Sequence, residues 1–506
     1  MSSSQTDLPI TSRTYPSSFW MWVSPSVLAL FLALHFGVCT QDDAFISFRY
    51  AENWADGLGW VFNAGEHVEG FSNPLWTALF GLVFWMNGDP VHWSLFFGYA
   101  SIVLLIYTTH HLACTLKIPT QWMWIGMTMI ALDPSMVLEA VQGLESVFYA
   151  GLLPLTISYA IREREHEQHT KSLLFSGLLC LTRPEAPLFV GLLYTGLWFR
   201  DRNWKKSIQP LIAIGVLLGL MTGLRIWYFG DPLPNTFYAK VGGWAGMRGV
   251  QYCWWHCQHH PLMWLGFFGS LIWVRTQNGR LLQWIVIPYL LYVISIGGDF
   301  KPTSRFLLPL GGLFTVLTVQ SLSGFKSHKR ILLVATLIIL SLGRITLLPK
   351  TNVWAQIRRD NLVARKVVGD WLAQYTPPNT TLAMHSIGVV PFYARRHTID
   401  MWGLTDRTIA KTPSSEFGNG MAGHEKTNPS YVFSKDPDIY LPEDGFFQGS
   451  TKVQQKEPGF PKDFEDKYNP ISIPIEGSWL NIWVHKDFKN KGGFGEWKKI
   501  SVPVDN

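Results

Sequence analysis

At 506 residues, with 48% hydrophobic, 14% aromatic and only 15% charged side chains, the chain is too apolar for an ordinary soluble domain and reads as a polytopic membrane protein. Its formal net charge of +6 gathers in short basic loops, Arg162 to Lys171, Arg200 to Lys206 and Lys326 to Arg330, a pattern that sets membrane topology and gives no footprint for nucleic acid. Five cysteines, three of them (Cys39, Cys114, Cys180) at or within apolar segments, imply no disulfide framework.

The first apolar run, 19 to 38, lacks a small-residue cleavage pattern, so a retained membrane helix is expected there. Gln41 to Asn73 follows, polar and rich in carboxylates, opening with the adjacent acids Asp42 and Asp43. Further apolar segments cover 73 to 87, 93 to 115, 120 to 142, 144 to 161, 172 to 200, 207 to 228, 260 to 275, 281 to 297, 304 to 322 and 330 to 347. With the basic loops inside, the polar loops at 229 to 259 and 298 to 303 fall outside, and 172 to 200 must be a hairpin turned at Arg183-Pro184-Glu185. Parity then requires an odd number of crossings between 41–73 and 162–171; breaking 120 to 142 at Asp133-Pro134 into two short spans supplies it. The expected architecture is a helical membrane domain over 1–347, with roughly 11–13 transmembrane helices and a first external loop at 40–73.

From residue 348 the composition changes, and 348–506 reads as an extracytoplasmic α/β domain. Val353 to Tyr375 is amphipathic, Thr380 to Tyr393 alternates like a strand, and His397 to Trp402 suggests a second. Lys435 to Tyr468 is loop-rich, and Ile471 to His485 suits a return to the sheet.

Polar groups interrupt the apolar scaffold at Glu145, Arg183, Glu185, Arg225, Asn235, Tyr238, Lys240, Asp299 and Arg305, all at outer helix ends in this topology. Ionisable groups at membrane depth are expensive, so several on one face suggest a site. Arg305, Lys240, Arg225 and Arg183 suit neutralisation of a phosphate leaving group, while a carboxylate accepts the proton of an incoming hydroxyl. Asp42 and Asp43 are candidates for that base, because desolvation and a like-charged neighbour lift one carboxyl pKa. Glu145 and Glu185 equally suit helix caps or partners of Arg183, and Asn235 suits a sugar hydroxyl or a turn. The run from Cys253 to His260 has zinc-ligating residue types without a second ligand pair at the usual distance, so an ordinary interfacial loop is expected. No Walker-type glycine loop is present.

An ordered series of short motifs carries a resemblance. Asp42-Asp43 with Arg49, then Asp56-Gly57, Gly59, Phe62-Asn63, Gly65-Glu66 and Glu69, resembles the first external loop of the GT-C superfamily of membrane glycosyltransferases. Within it, the chain is most similar to the terminal arabinofuranosyltransferase family of mycobacterial cell-wall synthesis. The similarity continues through Gly143 to Ser146, Arg183 to Glu185, Tyr228 to Gly230, Pro234 to Lys240, Gly297 to Phe300 with Arg305, Ile399-Asp400, Gly403-Leu404 and Gly423 to Lys426.

The resemblance implies transfer of arabinofuranose or a related sugar from a polyprenyl-phosphate donor to a glycan or glycolipid acceptor. The reaction would take place at the outer face of a bacterial cytoplasmic membrane. It implies an acid of the first external loop as the catalytic one, Asp42 favoured, with Asp43 positioning the acceptor or a metal. Lys240 and Arg305 would hold the donor phosphate, and His424 would come over the pocket with the outer domain. Whether Mg²⁺ or Mn²⁺ takes part stays open, since adjacent acids hold a cation or act alone. A flippase for lipid-linked glycans and a non-catalytic assembly partner are the rival classes.

Overall fold

The computed structural model describes residues 17–323, 348–414, 417–442, 459–475 and 478–494. The expected span at 330 to 347 and the loop Lys326 to Arg330 lie outside the described residues. The helices in chain order are α1 (Ser17–Phe36), α2 (Asp42–Ala55), α3 (Pro74–Trp85), α4 (Pro90–Thr115), α5 (Thr120–Ala131), α6 (Pro134–Ala140), α7 (Ser146–Glu165) and α8 (Thr170–Thr182). They continue with α9 (Ala186–Asp201), α10 (Lys205–Phe229), α11 (Asn235–Lys240), α12 (Gly246–His259), α13 (Pro261–Trp273), α14 (Gln277–Ile296) and α15 (Leu310–Ser323). Proline opens α3, α4, α6 and α13, where its missing N–H costs nothing. Among the described residues α1, α4, α10 and α14 are long and apolar enough to cross a membrane, and α3, α8, α13 and α15 are shorter apolar helices.

The bundle has two chemically distinct ends. At one, the basic loops meet: Arg164 donates to Leu197 O and Asn203 O, and Lys206 pairs with Glu167 at 2.8 Å. At the other gather α2, the turn Arg183 to Glu185 between α8 and α9, α11 and the loop after α14. This second end carries the candidate site.

The expected crossing at 73 to 87 is not one. Helix α3 folds back along α2, with Trp85 Nε1 donating to Ala55 O, and Phe84 meets Phe392 of the C-terminal region at 6.2 Å between ring centroids. Its opposite end is fixed where the Asn73 amide donates to Glu145. Both ends of α3 therefore lie at the site end, and its Trp76, Phe80 and Val83 side chains are covered by protein. The break at Asp133-Pro134 is present, with Asp133 accepting from the amides of Ser135 and Met136, but α5 and α6 make one pass. Cys114 meets Met123 at one end of this pass, and a Cβ on Gly98 would lie 1.9 Å from Ala140 O at the other. Parity is thus satisfied by α3 turning back rather than by two short spans. The facing pass, α12 and α13, breaks at the same level: His260 Nδ1 lies 3.0 Å from Asp133 Oδ2.

The expected polar loop at 229 to 259 is largely α11 and α12. Beyond the bundle a long helix, Leu348–Tyr375, leads to strands β1 (Thr381–Met384), β2 (His397–Asp400), β3 (Ile439–Leu441), β4 (Tyr468–Ile475) and β5 (Ser478–His485). The sheet order is β2-β1-β3-β5-β4; β1, β2 and β3 are parallel, and β5 is antiparallel to both its neighbours. The strand expected over Thr380 to Tyr393 stops at Met384, and Val389–Ala394 is a short helix.

The polar stretch 41–73 is clamped between bundle and sheet. Ile46, Tyr50, Phe62 and Phe71 share one apolar cluster with Leu382, Val390, Leu404 and Ile439. Buried Arg49 donates to Phe62 O (2.7 Å), Pro391 O (2.9 Å), Arg396 O (2.8 Å) and Asn63 Oδ1 (3.2 Å). Asn63 in turn pairs with the backbone of Thr398 through both its amide N–H and its oxygen. Truncating a buried donor leaves its acceptors bare. Arg49→Met is therefore expected to destabilise the fold by about 3 kcal/mol, read as a lower thermal-unfolding midpoint in detergent.

Candidate active site

Asp42 and Asp43 open helix α2, and successive helical residues face directions about 100° apart. The two carboxylates accordingly separate. Asp42 turns to the C-terminal region, accepting from Gly388 N and Val389 N, each at 2.9 Å, and pairing with Arg365 at 2.9 Å. Asp43 turns into the bundle end. Its Oδ2 lies 2.7 Å from Lys301 Nζ and 3.5 Å from Arg305 Nη1, and 36% of its side chain stays open.

Lys301 and Arg305 come from the loop after α14, which Gly297 and Gly298 turn with φ of 83° and 65°. That left-handed backbone is open to glycine at little cost. Lys301 also donates to Gln41 Oε1, Thr303 donates to Glu139 at 2.7 Å, and Arg305 Nε donates to Asp299 at 2.7 Å. Lys240, at the end of α11, runs along Gly423 of the C-terminal region and has no ion-pair partner among the described residues. Three cations, Lys240, Lys301 and Arg305, thus meet Asp43 and Asp299, with the charge of Glu139 also acting on Lys301 and Arg305.

Burial acts to raise the Asp43 carboxyl, but the charges of Lys301, Arg305 and Lys240 outweigh it and hold Asp43 well below the ordinary carboxylate range. The expected lift by a neighbouring acid does not occur, because Asp42 points away and cations surround Asp43. Although Lys240 as a residue remains exposed, loss of hydration at its ammonium, followed by the charges of Arg305 and Lys301, pushes it down to about 8. His424 is pushed down to about 4, first by burial, with Lys240 and Arg305 adding to the effect of burial and Asp43 opposing it. It is neutral at pH 7. Its ring lies 4.9 Å from Phe300 and 4.1 Å from Trp402, centroid to centroid. Trp402 and His385 follow β2 and β1, at the carboxyl ends of parallel strands, where open sheets place ligands.

The other residues expected at the site have different employment. Arg183 is held between Glu145 (2.7 Å) and Glu185 (2.5 Å), and Asn73 closes the network on Glu145 at 2.6 Å. Arg225 pairs with Glu69 at 2.9 Å beside a separate, largely apolar cavity of about 300 Å³ lined by Trp60, Phe71 and Trp227. The Asn235 side chain donates to Gly403 O and Leu404 O, clasping α11 to the C-terminal region. Tyr238 O accepts from Lys426 at 2.6 Å, and its ring lies 4.8 Å from Lys411. Asp299 fixes Arg305. Asp42 and Asp43 present no shared set of oxygens to a metal, and among the described residues no group of three or more metal-ligating side chains converges. In the Cys253–His260 run, His256 stacks on His260 at 4.2 Å and accepts from Trp264 at 2.9 Å; the run is helical rather than a loop.

Lys301 is the residue that sequence reasoning passed over. Its signal was present: a lysine two places after Asp299, in the loop that also holds Arg305.

Residues 353–486 match a family described as a domain of unknown function, DUF8728. Two curated relatives are named terminal β-(1→2)-arabinofuranosyltransferase. The one from Mycobacterium tuberculosis is 28% identical over 220 residues, covering 39% of this chain and 34% of the relative. The one from Corynebacterium glutamicum is 26% identical over 341 residues, covering 55% and 47%. The chain thus spans less than half the length of either relative. Among solved structures, ArnT from Cupriavidus metallidurans bound to undecaprenyl phosphate superposes with a TM-score of 0.57 at 11% identity, over 93% of this chain and 98% of that one. The chain is therefore a polytopic helical membrane protein with the GT-C fold and a C-terminal sheet region, similar in sequence to the terminal arabinofuranosyltransferases.

Proposed function

We propose that this chain is a glycosyltransferase that moves arabinofuranose, or a related sugar, from a polyprenyl-phosphate donor to a cell-envelope glycan. The observation that carries this reading is the convergence of Lys240, Lys301 and Arg305 on Asp43 at one end of the bundle. The lipid phosphate bound to ArnT supports a donor of the same class. The basic loops at the opposite end support a cytoplasmic placement for that end, and so an active site on the outer face.

The acceptor oxygen attacks the anomeric carbon, the bond from that carbon to the phosphate oxygen breaks, and the phosphate leaves with the electron pair. The acceptor proton passes to Asp43. A phosphodiester with one negative charge becomes a monoester with more, and the three cations stabilise the charge that develops. Without donor, Asp43 serves as counter-ion to Lys301 and Arg305 and is a weak base. An anionic phosphate engages those cations and adds its own charge, raising the proton affinity of Asp43. The base thus gains strength when a donor is in place. Phe300, exposed, and Trp402, half-buried, both beside His424, offer ring faces to the acceptor sugar.

The test is transfer by purified protein from a panel of radiolabelled polyprenyl-phosphate sugars to short glycan acceptors. Transfer from one donor names the sugar; no transfer from any donor by folded protein moves the weight to a flippase or assembly partner. A second measurement checks Lys240. Its ammonium loses its proton above about pH 8, while a phosphodiester keeps its single charge. Donor affinity is expected to fall by up to about tenfold per pH unit above that point. Lys240→Arg, charged throughout, should give a flat profile.

A further inference from the structure

We infer that Asp42 is a positioning residue, a latch that docks the C-terminal region onto α2 and thereby aims Asp43. This rests on the reading of Asp43 as the acid that meets the substrate. Both oxygens of Asp42 are engaged: Oδ2 by Gly388 N and Oδ1 by Val389 N and Arg365 Nη1, all at 2.9 Å. Arg365 sits on the long helix Leu348–Tyr375 and also donates to Ser386 at 3.2 Å, so one carboxylate joins α2 to two separate parts of the C-terminal region. The approach is close enough that a Cβ on Gly388 would lie 1.9 Å from Asp42 O and 2.6 Å from its carboxyl carbon. Only a residue without a side chain fits there. Asp43 is the next residue on the same helical turn, so the rotation of α2 that Asp42 fixes also decides whether Asp43 reaches Lys301. A general base facing the acceptor needs an accessible oxygen, and Asp42 spends both of its oxygens on the protein.

The experiment compares Asp42→Asn, Arg365→Met, their double variant and Gly388→Ala in the full-length protein, reading transfer, donor affinity and hydrogen exchange of the segment holding Gly388 and Val389. Each single variant is expected to lower kcat by about 10- to 100-fold, the loss typical of a misplaced reacting group. Donor affinity should stay within about threefold, and exchange at 388–389 should rise. The double variant should be no worse than the worse single one, because both remove the same link. The low-pH limb of kcat/KM, which belongs to Asp43, should survive in Asp42→Asn. Transfer at background in Asp42→Asn, beside wild-type transfer and exchange in Arg365→Met, would overturn the inference and make Asp42 the base. If Asp42→Asn does not fold, wild-type transfer by Gly388→Ala overturns it equally. Exchange reads the latch without any transfer, so failure of the glycosyltransferase reading is separable from failure of the latch.

Discussion

Asp43→Asn is expected to reduce transfer to background, a loss of at least about 10³-fold in kcat, while the donor binds as tightly as before or more tightly. General-base catalysis by a positioned group contributes about 10²–10⁴-fold, and the amide cannot accept the acceptor proton. The binding half of the expectation separates this role from a structural one. Asp43 competes with phosphate for Lys301 and Arg305, at 2.7 and 3.5 Å. An asparagine removes that competitor without changing the shape of the site. Weaker donor binding in this variant, or transfer above about a tenth of wild type, would remove Asp43 from the role of base. The measurements are single-turnover transfer of radiolabelled sugar and equilibrium binding of a short-chain polyprenyl phosphate.

The second large effect falls at Lys301. Lys301→Met removes a buried cation from between Gln41 and Asp43, and a charge-assisted hydrogen bond of this kind contributes about 1.5–3 kcal/mol. Donor affinity should fall by about 10- to 100-fold. The variant also has a pH signature. Lys301 is the largest of the charges holding Asp43 low, so its loss raises the Asp43 carboxyl. Activity requires Asp43 ionised and declines as pH falls through its pKa, so the acidic limb should move toward neutrality in Lys301→Met. An unmoved limb would mean that Lys301 does not act on Asp43. Lys301→Arg, which keeps the charge, should restore much of the affinity.

Composition and the alternation of apolar runs with basic loops revealed the membrane class, the hairpin at Arg183 to Glu185 and the end of the bundle that carries the polar groups. Length alone misjudged α3. Three of its apolar side chains, Trp76, Phe80 and Val83, are covered by α2, Leu362 and Phe392, and a one-dimensional pattern cannot distinguish cover by protein from cover by lipid. The same limit applies to Asp42 and Asp43. Adjacent letters become side chains pointing to different partners once α2 is helical, and Gly388 and Arg365 lie more than three hundred residues away. Arg183 suited either a phosphate or its neighbouring carboxylates, and the fold decides for the second by bringing Glu145, 38 residues away, onto the same guanidinium as Glu185. Lys301 went unremarked because its role depends on how Gly297 and Gly298 turn the loop.

The clamp around Arg49 also has a consequence for the order of assembly. The carbonyls it needs, of Pro391 and Arg396, lie 342 and 347 residues downstream, and the strand backbone that Asn63 joins lies 335 residues downstream. On a ribosome that delivers the chain from its N-terminus, residues 41–73 emerge long before anything exists to hold them. The acid proposed to meet the substrate comes early in synthesis, and its final orientation comes last. On the proposed function, a nascent chain is expected to stay inactive until its C-terminal sheet has folded, and a C-terminal truncation is expected to remove activity from a bundle whose own residues are all intact.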